Sequence, residues 1–397
     1  MIAQKLKLIE DWTIYSCDYQ LIMKILVQTA TILGTEQNLK IDVRIFGGAI
    51  RDPLNGFPPN DIDVTIEGVD KMIFLNKMCN LYPDILGNFV DMKIRNKLQA
   101  NEATLHIGTK LGIDLDISNC LKYSQYYREN LLKRDFNINT LSLNLNSMKI
   151  EDTLNVTNEI EKRILKTTRL ADLEFTEEPN TILRAIRFIH KYNLTFCDEN
   201  NNQSSKIKEY SFKVSELCQA TILSEIRKAV KNQYPGKYFQ LLNEYKILEY
   251  VFPGIPWNLD NLFNIPEIVR DKGLVFSYLL TKCISEENYD LSSPIYKKAG
   301  FTKHEIEFAT VAKQITHLIQ HYQKDFLVIE VAKLLKKKGI KIIEQSLFLV
   351  DESTENYFLI TIKEYDLYNR VFNNSLLMEL KFVHYVIDLQ ENGFKMH

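Results

Sequence analysis

Two glycines, an arginine and two aspartates lie close together near the start of the chain and could bind a phosphate and a metal ion. They are Gly47, Gly48, Arg51, Asp61 and Asp63. The glycines follow a β-branched and aromatic run and precede a helix-compatible segment, a turn at which backbone N–H groups can approach a phosphate closely. The aspartates alternate in the run DIDVTI, so one face of a strand carries both carboxylates and they can share a divalent cation.

Each of these signals also has an ordinary structural interpretation. A glycine pair often forms a tight turn, and an isolated Asp-x-Asp often marks a solvated strand edge. Together they favour nucleotidyl transfer, which needs a positioned triphosphate and a cation to compensate its charge. Asp114 and Asp116 share one face of a later strand, and either could supply a third acid. We favour Asp116, and an exposed polar face is the alternative interpretation.

The periodicity of the chain predicts which elements position these residues. Strands are expected at Val43–Gly48, Asp61–Ile66, Ala103–Gly108 and Gly112–Ser118, and an amphipathic helix at Tyr19–Leu33. From about Glu159 onward, the apolar residues mostly follow helical spacing. The sequence therefore predicts an α+β protein, with a mixed sheet near the N-terminus followed by helices.

Composition limits the function classes. The chain has 397 residues, 45% hydrophobic and 25% charged, which excludes wholesale disorder and fits two or three structural units. Its net charge is −2, so a nucleic-acid partner must bind a local basic surface. The six cysteines show no zinc-type spacing, and no apolar run is long enough to cross a bilayer. We expect no membrane association and a cytoplasmic or nuclear protein, with a mitochondrial address left open.

Three segments resemble the motifs of one family, the class II tRNA nucleotidyltransferases or CCA-adding enzymes, with the related bacterial poly(A) polymerases of the DNA polymerase β-like superfamily. The segment GGAIRDPLNGFPPNDIDV resembles the first motif. Leu132–Leu145 resembles the second, with Lys133 in place of an arginine, and Glu177–Phe188 resembles the nucleotide-selecting motif. The matches cover roughly residues 43 to 188 in the family's order.

The resemblance implies a role for each matching residue. Asp61 and Asp63 would hold two Mg²⁺ ions, one activating the RNA 3′-hydroxyl and the other bridging the triphosphate and the leaving pyrophosphate. Asp116, favoured above from the strand pattern, is expected as the third catalytic acid. Asp135 would accept a hydrogen bond from the ribose. The implied nucleotide-binding residues are Gly47, Gly48, Arg51, Arg134, Asp135, Glu178, Thr181, Arg184 and Arg187.

The family resemblance also implies an architecture of three parts. These are a mixed β-sheet nucleotidyltransferase head at residues 1–147, an all-α neck at 148–235, and a helical body and tail at 236–397 that bind RNA. Two basic stretches, Glu225–Tyr238 and Lys333–Lys341, could bind tRNA phosphates. A solvated, charged helix face would have the same sequence pattern and is the alternative interpretation. We interpret His317 and His321 as packing or surface residues, because no third metal ligand lies near them in sequence.

The selecting segment departs from the family pattern. The family uses Asp and Arg to hydrogen-bond the edge of cytosine or adenine, whereas this chain has Glu178 and Thr181, and threonine cannot reproduce the guanidinium fork. A later family helix carries Glu-Arg before a second Glu, and only Glu225 of that pattern is present. Transfer chemistry is therefore better supported than the identity of the base.

The expected function is addition of the 3′-terminal CCA, or part of it, to tRNA from CTP and ATP with release of pyrophosphate. Within the same class, CC-addition, A-addition or poly(A) synthesis are alternatives. A different class of function, a diverged relative that binds RNA without catalysis, would keep the fold but not require the metal-binding acids. The sequence leaves the oligomeric state open.

Overall fold

A computed structural model describes residues 2–86, 93–95, 104–120, 131–198, 202–285, 290–322 and 324–364. They form two compact units. The first comprises the described residues up to Thr181 together with Tyr192–Tyr210, and the second comprises Ile182–Lys191 and the described residues from Ser211 onward. The division into head, neck and body at residues 147 and 235 stays a prediction. Ala103 and the end of the predicted tail beyond Glu364 lie outside the described residues.

A mixed sheet organises the first unit. Its described strands are β1 (Asp42–Phe46), β2 (Asp61–Glu67), β3 (Lys93–Arg95), β4 (Thr104–Gly108), β5 (Asp114–Cys120), β6 (Ser142–Asn144) and β7 (Lys149–Glu151). They are ordered β3-β4-β5-β2-β1-β6-β7, with β2 and β5 parallel and the other neighbours antiparallel. The predicted mixed sheet is confirmed, and β7 extends it past residue 147.

Helices flank this sheet. The described helices that begin in the first unit are α1 (Ile2–Glu10), α2 (Cys17–Gln37), α3 (Gly48–Leu54), α4 (Lys71–Leu81), α5 (Pro83–Leu86), α6 (Thr157–Glu161), α7 (Ala171–Glu177), α8 (Asn180–Tyr192) and α9 (Gln203–Tyr210). A short 3₁₀ turn lies at Asn137–Asn139, and β8 (Ile164–Leu165) pairs with β9 (Thr195–Phe196). Helix α2 contains the predicted Tyr19–Leu33 segment and is capped by the Ser16 side chain.

Helix α2 also anchors the two elements that carry the glycines and acids. The Tyr15 hydroxyl, just before the helix, donates to the Ala49 carbonyl in α3 at 2.8 Å. The Tyr19 hydroxyl donates to the Asp61 carbonyl at the start of β2 at 2.5 Å. The two tyrosine rings stack with their centroids 5.6 Å apart. Their apolar surface and hydroxyls together fix the start of β2 against α3.

The second unit is helical throughout the ranges that the structure describes. After a 3₁₀ segment at Ser211–Glu216, its helices are α10 (Gln219–Ala229), α11 (Pro235–Glu244), α12 (Leu248–Val251), α13 (Leu259–Phe263), α14 (Glu267–Asp271), α15 (Val275–Lys282), α16 (Pro294–Lys298), α17 (Lys303–His321), α18 (Lys324–Lys338), α19 (Ile340–Leu347) and α20 (Glu352–Glu364). The predicted change from sheet to helix is confirmed. In the described part of the chain, we find no helix with the length and apolar character needed to span a membrane.

Candidate active site

The glycine turn between β1 and α3 lies directly against the two aspartates. Gly47 has φ 60° and ψ −127°, a backbone conformation that side chains other than hydrogen rarely allow. A Cβ atom at Gly47 would fall on the Asp63 carboxylate, and one at Gly48 would lie 3.0 Å from Asp61 Oδ1. The Gly47 carbonyl accepts a hydrogen bond from the Arg51 amide at 2.8 Å. Glycine is therefore needed here for close approach as well as for conformation.

The acids of β2 and β5 share one face of the sheet. The parallel register pairs Asp61 with Asp114 and Asp63 with Asp116. Side chains that are paired across neighbouring strands point to the same face, so this face carries four carboxylates. The predicted spatial relation between the two Asp-x-Asp pairs is therefore present in the fold.

Burial and mutual repulsion raise the pKa values of the central pair. Burial raises the pKa of Asp63 to about 6, and the charges of Asp61 and Asp116 add to this, whereas Arg134 and Arg51 oppose it. Burial also raises the pKa of Asp61. Asp61 is exposed and Asp63 is half-buried, and two neighbouring carboxylates with raised pKa values fit a divalent cation, since hard cations prefer carboxylate oxygens.

Asp116 is held by a residue that the sequence did not indicate. Nδ1 of His106, which lies opposite Asp116 on β4, is 2.7 Å from Asp116 Oδ1. Nowhere in the described ranges do three or more His, Cys, Asp or Glu side chains form a group that could hold a metal ion. The role of Asp116 as a third catalytic acid thus stays a prediction. Asp61 and Asp63 are the ligand pair that the geometry supports, with phosphate oxygens and water able to complete the coordination.

We expect binding of a divalent cation to tighten as the pH rises through about 6, because the proton on Asp63 must leave before that carboxylate can coordinate. Below this pH, each pH unit should weaken binding by about tenfold. In the cation-free chain, the raised pKa of Asp63 stabilises the folded state. This stabilisation is complete below pH 3.8, the ordinary pKa of the group, and is lost as the pH rises through about 6. Calorimetric titration with Mn²⁺ across this range measures the effect, and an affinity independent of pH would contradict it.

Arg51 is fixed by three side chains. Its Nε lies 2.8 Å from the Tyr192 hydroxyl and 3.0 Å from Asp52 Oδ1, and its Nη1 lies 2.7 Å from Asn139 Oδ1. The Arg51 side chain is only 13% exposed. Tyr192 and Asn139 were missed in the sequence, since no short-range pattern connects residues so far apart. Their contacts hold the guanidinium beside the glycine turn.

The second motif joins the same network. Asn139, which accepts from Arg51, donates through Nδ2 to Asp135 Oδ1 at 2.8 Å. The Arg134 guanidinium lies 4.3 Å from the centre of the Phe46 ring, at the end of β1. The structure therefore brings the first two motifs together within the first unit.

The selecting segment forms the turn between α7 and α8. Glu178 caps the end of α7 and is exposed, and its carbonyl accepts a hydrogen bond from the Thr181 amide at 2.9 Å. Thr181 is 4% exposed, and its hydroxyl donates to Glu174 Oε1 at 3.0 Å. The side chain of Thr181 is thus turned to an internal partner.

The two arginines of this segment belong to the second unit and differ in their surroundings. Arg187 is buried, and its Nε donates to Glu225 Oε2 at 2.6 Å. Glu225 also pairs with Lys228 at 3.0 Å, and these cations help to lower its pKa against the effect of burial. Arg184 is half-buried, 5.5 Å from the centre of the Phe188 ring. Arg187 therefore has its charge neutralised within the helical unit, and its predicted contact with nucleotide stays untested.

The basic stretches lie on helices of the second unit. Lys333, Lys336, Lys337 and Lys341 are exposed. Lys333 pairs with Glu330 at 2.6 Å, and Lys338 pairs with Glu307 at 2.9 Å. In the other stretch, Arg227 is bound by Glu305 at 2.6 Å. The rings of His317 and His321 stack 4.3 Å apart, in agreement with our interpretation of packing or surface residues. An RNA contact through these lysines stays a prediction.

Comparison with protein families identifies the first unit. Residues 43–166 match the family model of the poly(A) polymerase head domain. The chain is 26% identical over 289 residues to a tRNA nucleotidyltransferase of Schizosaccharomyces pombe, covering 65% of this chain and 57% of that protein. It is 26% identical over 335 residues to the CCA-adding enzyme of Buchnera aphidicola, covering 72% and 77%. It is 23% identical over 231 residues to an A-adding tRNA nucleotidyltransferase of Geobacter sulfurreducens, covering 55% and 25%.

Solved structures show the same fold along nearly the whole chain. A CCA-adding enzyme in complex with CTP superposes with a TM-score of 0.65 at 18% identity, covering 98% of this chain and 92% of that one. The Thermotoga maritima CCA-adding enzyme, solved with tRNA, gives a TM-score of 0.60 at 18% identity and covers 96% and 93%. The chain nevertheless spans just over half the length of the S. pombe relative and a quarter of that of the G. sulfurreducens relative.

Proposed function

We propose that this chain is a class II tRNA nucleotidyltransferase that adds nucleotides from CTP and ATP to the 3′ end of tRNA and so completes all or part of the CCA terminus. The observation that carries the proposal is the contact of the Gly47–Gly48 turn with Asp61 and Asp63. Nucleotidyl transfer requires a phosphate-binding turn beside a cation-binding pair, and this contact supports assigning those roles to the glycines and the aspartates. A protein that only binds RNA would have no need of this arrangement.

The residues of the chain have separate tasks in the reaction. Asp61 and Asp63 would hold Mg²⁺, which would acidify the RNA 3′-hydroxyl and neutralise charge on the triphosphate. Arg51, held by Tyr192 and Asn139, would bind the triphosphate in line with the attacking oxygen. Attack on the α-phosphorus forms the new phosphodiester bond and breaks the bond to the bridging oxygen, so pyrophosphate leaves.

The second motif would orient the sugar. Asp135 Oδ1 accepts hydrogen bonds from the Asn139 side chain and from the Phe136 amide, which orient the carboxylate that would accept from a ribose hydroxyl. Arg51 and Asp135 contact the same amide side chain, so the triphosphate and the ribose would be held by one connected set of side chains. A fixed distance between them favours a single orientation of the incoming nucleotide.

The direct test is incorporation of labelled CTP and ATP, alone and together, with Mg²⁺. We expect CTP to extend tRNA that lacks the CCA end, ATP to extend tRNA that ends in CC, and extension to stop at complete CCA. A known CCA-adding enzyme, assayed in parallel, shows that the substrates are competent. Absence of any incorporation would contradict the proposal.

Addition of only one nucleotide type is the second candidate within this family. Two observations favour considering it, Thr181 in the selecting segment and the similarity to an A-adding relative. Incorporation of ATP into tRNA ending in CC, with none of CTP into shorter tRNA, would identify an A-adding enzyme. Long tails of A on any RNA would identify a poly(A) polymerase.

A further inference from the structure

The side chain at position 181 cannot read a nucleobase as this fold presents it. Thr181 is 4% exposed and donates its hydroxyl hydrogen to Glu174. A hydroxyl has one hydrogen to donate, so none remains for a ligand. If this site selects a base, another side chain must supply the hydrogen-bond donors.

The partner of Thr181 also holds an arginine. Glu174 is buried, and its Oε2 lies 2.8 Å from both Nε and Nη2 of Arg169. Nη1 of Arg169 donates to Glu177 Oε2 at 2.6 Å. Two carboxylates thus fix the plane of the guanidinium, whose side chain is still 28% exposed. Arginine has five N–H groups, so one on each Nη atom has no partner among the described residues.

Arg169 is also tied to the second motif. The residue before it, Thr168, donates its amide to the Asp135 carbonyl at 3.2 Å, and its hydroxyl donates to the Arg134 carbonyl. The preceding residue, Thr167, forms an isolated antiparallel bridge with Phe136, which follows Asp135. Arg169 is therefore held beside the residues proposed to orient the ribose.

We propose that Arg169 supplies the hydrogen-bond donors that select the base of the incoming nucleotide, an inference that rests on the proposed function. Its free N–H groups match acceptors on the Watson–Crick edge, N3 and O2 of cytosine or N1 of adenine. The exposed carboxylate of Glu178 accepts from the exocyclic amine that both bases carry.

The same pair of groups rejects the other two bases. Uracil and guanine carry a ring N–H where cytosine and adenine carry an acceptor. The N–H groups of Arg169 would therefore lie opposite another hydrogen-bond donor and could not form a hydrogen bond. They also carry a carbonyl in place of the exocyclic amine, which would face the carboxylate of Glu178. Unpaired groups of this kind give strong discrimination between otherwise similar substrates.

The test measures nucleotide binding separately from transfer. The full chain, with Mg²⁺ and tRNA that lacks its CCA end, is titrated with the α,β-methylene analogues of CTP, ATP, UTP and GTP, which bind without reacting. We expect the wild type to prefer the CTP or ATP analogue, and Arg169→Lys to reduce this preference about tenfold or more, since lysine keeps the charge but loses the planar fork. Arg270→Lys is the matched control, because Arg270 is also bound by two carboxylates, Glu267 and Asp271.

Glu177→Gln provides a second variant if Arg169→Lys does not fold. Glu177 lies at an exposed position, and its loss should let the Arg169 guanidinium tilt and weaken the preference about threefold. Unchanged preference in both variants, or no preference among the four analogues in the wild type, would overturn the inference. Incorporation of labelled CTP and ATP by the same preparations reports on the proposed function independently, so the two can fail separately.

Discussion

Replacement of Asp61 by alanine should abolish nucleotide incorporation while tRNA binding stays nearly intact. Loss of one of the two paired carboxylates removes the cation that stabilises the triphosphate charge, an effect worth several kcal/mol, or at least about 10³-fold in rate. RNA binding depends on phosphate contacts elsewhere and should change little. Single-turnover incorporation of labelled nucleotide, with tRNA binding measured by filter retention, separates the two effects.

Asp84→Ala is the matched control, because Asp84 is an exposed aspartate in the same unit, in helix α5. It should have the activity of the wild type. If the wild type bound tRNA but incorporated no more nucleotide than Asp61→Ala, the protein would be an RNA-binding relative without catalysis.

Replacement of Gly47 by alanine should reduce activity strongly, because the added methyl group displaces the Asp63 carboxylate. The Cβ atom of Gly47→Ala would fall on the Asp63 carboxylate, which must then leave its position. A displacement of about 1 Å in a catalytic group can reduce the rate by about 10²-fold. The expected result is therefore a fall in kcat of at least this size at saturating nucleotide, measured together with the melting temperature.

Gly56 is a control that also has a positive φ. It has φ +83°, but a Cβ atom there would meet nothing within 4 Å. Gly56→Ala should lower stability by about 1 kcal/mol, as expected for a left-handed residue, and leave the rate unchanged. Equal loss of activity in both alanine variants would show that strain, and not the carboxylate, explains the effect at Gly47.

The sequence predicted the local parts of the site well. A β-branched and aromatic run located β1, and alternation located β2. The spacing of Asp61 and Asp63 indicated a shared face because the period of a strand is fixed. The paired glycines indicated a turn between a strand and a helix, and the fold has this turn, with the Asp63 carboxylate lying against it. These features depend on a few residues that are neighbours in the sequence, so a local sequence pattern is enough to predict them.

The contacts between distant segments could not be predicted in the same way. The register of β2 and β5, the pairing of Arg51 with Tyr192 and the pairing of Arg187 with Glu225 all depend on tertiary packing. Arg187 illustrates the difficulty, because a charged residue on a helix resembles a solvated residue or a phosphate ligand in sequence. Only the fold shows that a buried carboxylate neutralises it.

The order of strands in the sheet constrains how this protein can fold while it is being synthesised. Strand β2 can pair with β5, and β1 with β6, only after the later strand of each pair has been synthesised. Leu145, which follows β6, donates its amide hydrogen to the Val43 carbonyl in β1. Asp116 on β5 and Asn139, which binds Arg51, can therefore join residues 47–63 only after about the first third of the chain has been synthesised. Pairings between such distant segments form slowly, because each closes a long loop before it gains stability. During that interval the nascent chain exposes the edges of β1 and β2, and it is then that a chaperone would matter most.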